Sequence, residues 1–337
     1  MPYYCTYTAT WRCNIKCRMC NIWKKPTVPE MDIIQIDKAF KKIPNITTIR
    51  ITGGEPFFRE DLPEIIKIIK KNTNVEIIML TTNGTFTDRI INFIKTYKKN
   101  NLRIKISLTG YADTHDEITC YPGAFEKVMN TIKSLSSMQN FYKFYLGINH
   151  AITNINSYED SIQIRKLCKE YKLPYLPVIS FGEIPLYSNK SDFVTKDPIS
   201  EKYISLTEND YKSILGDLLK STNLIKHVIE KLLKQYYLTG LYNQLVLHKK
   251  VYHPKCIVLK NHLRLLPNGD VGVCLYNSNT LGNLEKYTFE SLWYSSKAQE
   301  LRKWVNNCKG CWQQCDILPN LFYSGKIFPC FLNNLFS

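Results

Sequence analysis

The chain has 337 residues, of which 44% are hydrophobic and 22% charged, with 12 cysteines and a formal charge of +16 from 45 Lys+Arg against 29 Asp+Glu. That length holds a barrel-sized core plus a smaller unit, and the apolar content excludes a disordered or fibrous chain. No stretch approaches the ~20 uncharged apolar residues of a membrane helix, so no membrane span is expected. The start, MPYYCTYTATWRC, lacks the charged segment and apolar run of a signal peptide. Twelve cysteines without such a signal point to metal or redox chemistry in the cytoplasm rather than to disulfides. The basic excess favours anionic partners, but the lysines are scattered in pairs such as Lys24-Lys25 and Lys70-Lys71. A solvated basic surface therefore outranks nucleic-acid binding.

In chain order, strands are expected at Tyr4–Thr10, Ile46–Thr52, Val75–Thr81, Leu102–Leu108, Tyr142–Ile152 and Pro174–Ser180. Between them apolar residues recur at helical spacing over Asp61–Lys71, Asp88–Lys99, Ala124–Ser137 and Ser157–Tyr171, with Asp61 as N-cap and Pro63 in the first turn of the first of these. Strands alternating with helices read as a parallel α/β structure, here a partial (β/α)6 TIM-type barrel over residues 1–185 with its chemistry at the carboxyl ends of the strands. Residues 186–249 read as a linker and helices. A polar connector (Ile184–Ser205) leads to one helix capped by Thr207 and another closing at Gly240. Residues 250–337 read as a small α+β cysteine-rich domain that opens with a hairpin turning at Asn268-Gly269.

Cys13, Cys17 and Cys20 fall in CNIKCRMC, just past the first strand. Three thiolates on one loop can each bind one iron of a [4Fe–4S] cluster and leave the fourth iron open. A structural zinc site asks for four ligands, usually as two pairs, and no further Cys or His follows nearby. The second strand ends in Thr52-Gly53-Gly54-Glu55-Pro56. There two glycines allow close backbone approach, and the Glu55 carboxylate can accept from an ammonium group.

These residues resemble the radical S-adenosylmethionine (SAM) enzymes. CNIKCRMC is similar to the family's CxxxCxxC motif, and TGGEP to its SAM-ammonium motif. The resemblance extends through TTNG (81–84), SLTG (107–110) and YADTHDEITCYPGAFEKVMNTIK, a segment recurrent in the SPASM and twitch branches. It implies that Cys13, Cys17 and Cys20 hold the cluster, whose free iron is chelated by the amine and carboxylate of SAM. It also implies that Met19 lies against the adenine, that Gly53, Gly54 and Glu55 engage the amine, and that Ser107, Asn149 and Ser180 reach the ribose, carboxylate or adenine. One-electron reduction would then cleave SAM to methionine and a 5′-deoxyadenosyl radical that abstracts a substrate hydrogen. In one departure, Thr109 stands where related sequences often have an acid.

In the C-terminal part, Cys256 and Cys274 around Gly269 resemble the opening of a SPASM/twitch auxiliary-cluster domain, and Cys308 and Cys311 supply a second close pair. One auxiliary [4Fe–4S] cluster on these four is expected, with a second, incomplete one on Cys315 and Cys330 as the further option; structural zinc is the alternative for the four. Cys5, Cys120 and Cys168 read as small buried hydrophobes. His115 reads as a packing or capping residue, His150 as a residue near the barrel mouth, and His227 as a helix-surface residue. The apolar end KIFPCFLNNLFS reads as docked on the protein.

The expected activity is reductive SAM cleavage followed by hydrogen abstraction from a substrate, in peptide modification (a maturase) or sugar/alcohol oxidation. The expected partners are a peptide or small-molecule substrate, favoured to be anionic, and an external electron donor such as flavodoxin or ferredoxin. The truncated cysteine pattern ranks sulfatase maturation lower. An end without Gly-Gly does the same for a molybdopterin-pathway role, and the lack of a leader-binding domain before Cys13 weighs mildly against a peptide maturase. A non-catalytic iron–sulfur or zinc-binding protein on the same fold and a nucleic-acid-modifying radical SAM enzyme are the alternatives.

Overall fold

The structure, a computed structural model, describes residues 2–25, 28–43, 45–97, 100–180, 184–187, 206–225, 227–249, 254–308 and 310–325. Strands and helices alternate as β1 (Tyr4–Thr10), α1 (Ile33–Lys42), β2 (Thr48–Gly53), α2 (Leu62–Asn72), β3 (Ile77–Thr82), α3 (Thr87–Tyr97) and β4 (Leu102–Leu108). They continue with α4 (Asp113–Thr119), α5 (Ala124–Tyr142), β5 (Tyr145–Ile152), α6 (Ile155–Glu159), α7 (Ser161–Glu170) and β6 (Tyr175–Ile179). Consecutive strands from β1 to β6 pair in parallel, which gives the partial (β/α)6 barrel.

The strand pleat sorts the side chains. Cys5, Tyr7, Ala9, Ile49, Ile51, Ile78, Leu80, Ile104 and Ile106 share one core cluster with Ile36, Phe40, Ile65, Ile69 and Ile90 of the covering helices. Each fully buried Ile contributes roughly 1.5–3 kcal/mol. The alternate positions, among them Thr6, Thr8, Arg50, Lys105 and Ser107, face the barrel interior. The sheet is thus apolar towards the helices and polar towards the lumen.

Past the barrel come α8 (Glu208–Ser221), α9 (Val228–Leu245), β7 (His262–Leu265), β8 (Asp270–Cys274), β9 (Asn277–Asn283), α10 (Phe289–Trp293), α11 (Ser296–Asn307) and α12 (Gln314–Tyr323). Thr207 caps α8 as expected, in a reciprocal capping box with Asp210. The hairpin turn is also as expected: Gly269 has φ +86° and its N–H donates to the Leu266 carbonyl at 3.0 Å. What sequence periodicity missed is that β7 pairs in parallel with β1, so one sheet runs β6-β5-β4-β3-β2-β1-β7-β8-β9. All four residues of β7 are buried, so its pattern shows no alternation.

Three expectations are corrected. The second late helix does not close at Gly240 but runs on to Leu245. A Cβ at Gly240 would lie 2.1 Å from the Trp312 ring, so this glycine serves helix packing. Ser157–Tyr171 is two helices, α6 and α7, meeting at Asp160, whose carboxylate accepts from the Tyr111 N–H at 2.7 Å. Asp61 sits at the N-cap of α2 without capping it, because its carboxylate pairs with the Arg59 guanidinium.

Candidate active site

The loop after β1 carries Cys13, Cys17 and Cys20, all free and partly exposed. The chain fastens this loop by its backbone. Lys16 N–H donates to the Thr119 carbonyl at 3.1 Å, Arg18 N–H to the Ile118 carbonyl at 2.9 Å, and the Trp23 indole to the Cys17 carbonyl at 3.2 Å. From the other side, Asn14 donates to Thr85 at 2.8 Å, and Asn83 donates to Asn14 at 3.0 Å and approaches the Cys13 sulfur at 3.9 Å.

Burial pushes the Cys13 thiol up to about 12, with Glu55 and Cys20 adding to it; burial, Cys20 and Cys13 push Cys17 well up, and burial raises Cys20. Thiols that repel one another as anions hold together as thiolates only around a cation, so the donor set fits a metal cluster. Among the described residues, no three His, Cys, Asp or Glu side chains converge on a single metal ion. A tetranuclear cluster asks instead for one thiolate per iron.

The glycines of TGGEP have a partner in the chain itself. A Cβ on Gly53 would meet the Thr10 carbonyl at 2.3 Å, and one on Gly54 the Arg12 carbonyl at 2.1 Å. Their absence lets Gly54 N–H donate to Thr10 and Glu55 N–H to Arg12, each at 2.9 Å, which seats the cysteine loop on the end of β2. Glu55 is fully buried. Its carboxylate accepts from Phe57 N–H (3.0 Å), Thr82 Oγ1 (2.8 Å) and Asn83 N–H (2.6 Å), tying β2 to β3. Burial raises its pKa to about 7 against those three bonds. One of about four lone-pair directions then remains for an ammonium group.

Ser107 and Asn149 are register partners on β4 and β5, both partly exposed on the lumen side. Ser180 follows β6, its N–H on the Ile152 carbonyl at 2.9 Å, and Met19 is half-buried in the cysteine loop. Thr109 is buried beside His115, whose Nδ1 lies 3.2 Å from both its N and Oγ1. Burial holds His115 down at about 4, so it packs neutral, as expected.

Of the other histidines, His150 departs from its expected place: it faces the helix layer, not the mouth, and is fully buried, with Nδ1 2.8 Å from the Tyr175 hydroxyl. His227 is at the surface as expected, as the N-cap of α9, accepting from Glu230 N–H. Cys5 and Cys168 are buried as expected, whereas Cys120 is exposed at the left-handed C-cap of α4, φ +51°. A residue that ends a helix in that conformation at a loop junction is turned out of the core.

In the C-terminal part of the chain Cys256, Cys274, Cys308 and Cys311 gather from a loop, the end of β8, the C-cap of α11 and the segment before α12. Their charges are mutually felt: Cys256 raises Cys274 and Cys311, and Cys308 raises Cys256, on top of burial. Cys315 lies close by, since it and Cys311 both act on Tyr276 and Tyr237; burial and Asp316 raise its own thiol against Arg50 and Arg264. Cys330 and the rest of the apolar end after Gly325 lie outside the described residues, as does most of the polar connector.

Trp11, Ile22, Leu186, Leu266, Leu275 and Tyr276 form one small apolar cluster against which Cys20, Cys274, Cys311 and Cys315 pack. Leu186 N–H donates to the Leu275 carbonyl at 3.0 Å and closes this wall. The two cysteine groups are therefore joined through one apolar wall, by Cys20 from the first and by Cys274 and Cys311 from the second.

Residues 7–150 match the radical SAM superfamily and residues 256–316 the SPASM iron–sulfur cluster-binding domain. A GTP 3′,8-cyclase of Lactiplantibacillus plantarum is 30% identical over 151 residues, covering 43% of this chain and 45% of the relative. The antilisterial bacteriocin subtilosin biosynthesis protein AlbA of Bacillus subtilis is 31% identical over 157 residues, 44% of this chain and 34% of the relative. The matched part is thus less than half the length of either relative. Among solved structures, native anSMEcpe with bound AdoMet and Kp18Cys peptide has a TM-score of 0.65 at 20% identity, covering 99% of both chains, and shares the fold. The chain belongs to the radical SAM superfamily, in the branch that carries a SPASM domain. The cofactors of the matched domains are SAM and iron–sulfur clusters, an auxiliary cluster in the SPASM part included. No helix among the described residues is long and apolar enough to cross a membrane.

Proposed function

We propose that this chain cleaves SAM reductively and uses the product to abstract hydrogen from an anionic substrate held in the barrel lumen, in a peptide modification. The observation that carries this reading is the shared wall, one apolar cluster against which Cys20 and Cys274, Cys311 and Cys315 all pack. When bound, the cofactors supply the electron and the 5′-deoxyadenosyl radical; the chain supplies position and dryness.

In this reading Cys13, Cys17 and Cys20 hold the first cluster and Cys256, Cys274, Cys308 and Cys311 an auxiliary one. Glu55 keeps a lone pair for the SAM amine, while Gly53 and Gly54 bring the β2 end against the cysteine loop. Ser107, Asn149 and Ser180 orient the nucleoside from the lumen side, and Met19 covers the adenine. Trp11, Leu186 and Tyr276 exclude water between the two sites. The peptide reading is supported by the SPASM match and by the peptide-pathway relative; the GTP cyclase relative supports a nucleotide as the second reading. Anaerobically reconstituted protein is expected to form 5′-deoxyadenosine and methionine with dithionite. Loss of both products in Cys13→Ala/Cys17→Ala/Cys20→Ala is the expected control, and wild-type protein that leaves SAM intact would end this reading.

A further inference from the structure

Among the described residues, the lumen face of the sheet carries more cations than carboxylates. In register, Arg50 of β2 pairs with Thr6 of β1, and Thr6 with Arg264 of β7, so the two arginines flank one threonine in a single row. Lys105 of β4 points into the same lumen and feels both Arg50 and Cys315 electrostatically. Gly147, its register partner on β5, leaves the neighbouring position without a side chain.

Among the described residues, one buried carboxylate stands against these three cations, Asp316 at the start of α12, 3.3 Å from Arg264 Nη2. Arg50 Nη1 donates to the Cys315 carbonyl at 3.3 Å. Among the described residues, Arg50 Nε and Arg264 Nε and Nη1 are buried without a hydrogen-bond partner, and Lys105 has no ion pair. His262, the next ring in the wall, is fully buried, with Nε2 2.9 Å from Thr6 Oγ1, and its pKa lies well below the usual value, so it adds no charge. Tyr187 closes the row from the direction of Cys20, within electrostatic reach of Arg50 and Arg264.

A buried guanidinium nitrogen left unpaired is costly, since it has given up its hydrogen bonds to water for none in the protein. Such a cost is offset when a carboxylate or phosphate brings lone pairs to the guanidinium fork. We propose that Arg50, Lys105 and Arg264 form an oxyanion-binding subsite inside the barrel, between the Cys13 loop and α12, which anchors a carboxylate or phosphate of the substrate. This rests on the lumen being the substrate chamber of the proposed reaction. It gives the net basic charge of the chain a location: the charges that select the substrate line the barrel, while the surface lysines are solvated.

The test is calorimetric titration of anaerobically reconstituted, SAM-loaded protein at fixed ionic strength. The probes are pyrophosphate, a glutamate-rich heptapeptide and the same heptapeptide with lysines in place of the glutamates. Lys105→Gln and Arg50→Gln are expected to bind the preferred anion about tenfold or more weaker. The exposed-lysine variant Lys303→Gln should bind as wild type does, and the lysine peptide should not bind. Preference for the acidic peptide identifies a carboxylate as the anchor, and preference for pyrophosphate a phosphate. Arg264→Gln removes the Asp316 ion pair and so perturbs the wall itself, which makes Lys105→Gln the deciding variant. Equal binding by wild type and Lys105→Gln, or no anion binding at all, overturns the subsite. Formation of 5′-deoxyadenosine by the same wild-type preparation keeps that failure separate from failure of the SAM-cleaving reading.

Discussion

The two cysteine groups are built in opposite ways. Cys13, Cys17 and Cys20 lie on one loop, fastened to α4 and the β3 end by backbone and amide hydrogen bonds that involve no thiol as principal partner. Cys256, Cys274, Cys308 and Cys311 come from separate elements and meet only because the hairpin, α11 and the segment before α12 pack together. A local set can lose its metal and keep its loop. A set gathered from distant elements uses its metal as a fastener, so cluster binding there is also folding free energy.

The largest expected effect separates them. In Cys13→Ala/Cys17→Ala/Cys20→Ala, SAM cleavage falls to background and iron drops from about eight to about four per chain, while Tm stays within about 2 °C of wild type. In Cys256→Ala/Cys274→Ala the same iron loss should come with a Tm lower by roughly 5 °C or more, read by calorimetry. Equal thermal losses in the two variants would break the contrast.

Next come the two glycines that seat each region. Gly54→Ala drives a methyl to 2.1 Å from the Arg12 carbonyl, and Gly240→Ala drives one to 2.1 Å from Trp312. Each is expected to cost about 1–3 kcal/mol. Iron counts sharpen the comparison, because the first should deplete the Cys13 site and the second, through Trp312 beside Cys311, the auxiliary site.

A smaller effect comes from His150, which belongs to neither region. Burial holds its folded pKa at about 3, below the ordinary 6.5. The neutral ring is therefore fully favourable above 6.5, and its contribution is lost as pH falls from there towards 3. At pH 5 the loss is about 2 kcal/mol, so His150→Gln should flatten the fall in Tm between pH 7 and 5. If it does not, the ring is not held neutral. The smallest effect is expected at Cys120, whose charge reaches Cys17 although its side chain is exposed. Cys120→Ser should change stability by less than about 0.5 kcal/mol and leave the iron content unchanged; lost iron would add a fourth thiol to the first group.

Legibility from sequence followed the same division. The β1 and β4 bounds, the Thr207 cap, the Asn268-Gly269 turn and the CNIKCRMC loop were readable because each depends on residues within a few positions of one another. Gly240 was misread as a helix end because a glycine's reason can lie in another element, here Trp312 of a segment seventy residues on. The same holds for His150, whose face was set by the register of β5 against β4.

By itself, the sequence determined the alternation of strands and helices, the three-thiol loop and its family, since period, spacing and turn chemistry are properties of contiguous chain. Only the tertiary structure decided that β7 extends the barrel sheet, that Glu55 is already held by three donors, and that Arg50, Lys105 and Arg264 face one lumen in which, among the described residues, Asp316 is their one buried carboxylate. Parallel pairing joins residues hundreds of positions apart, and the charge balance of a cavity is set by which of them meet there, a sum that no local pattern contains.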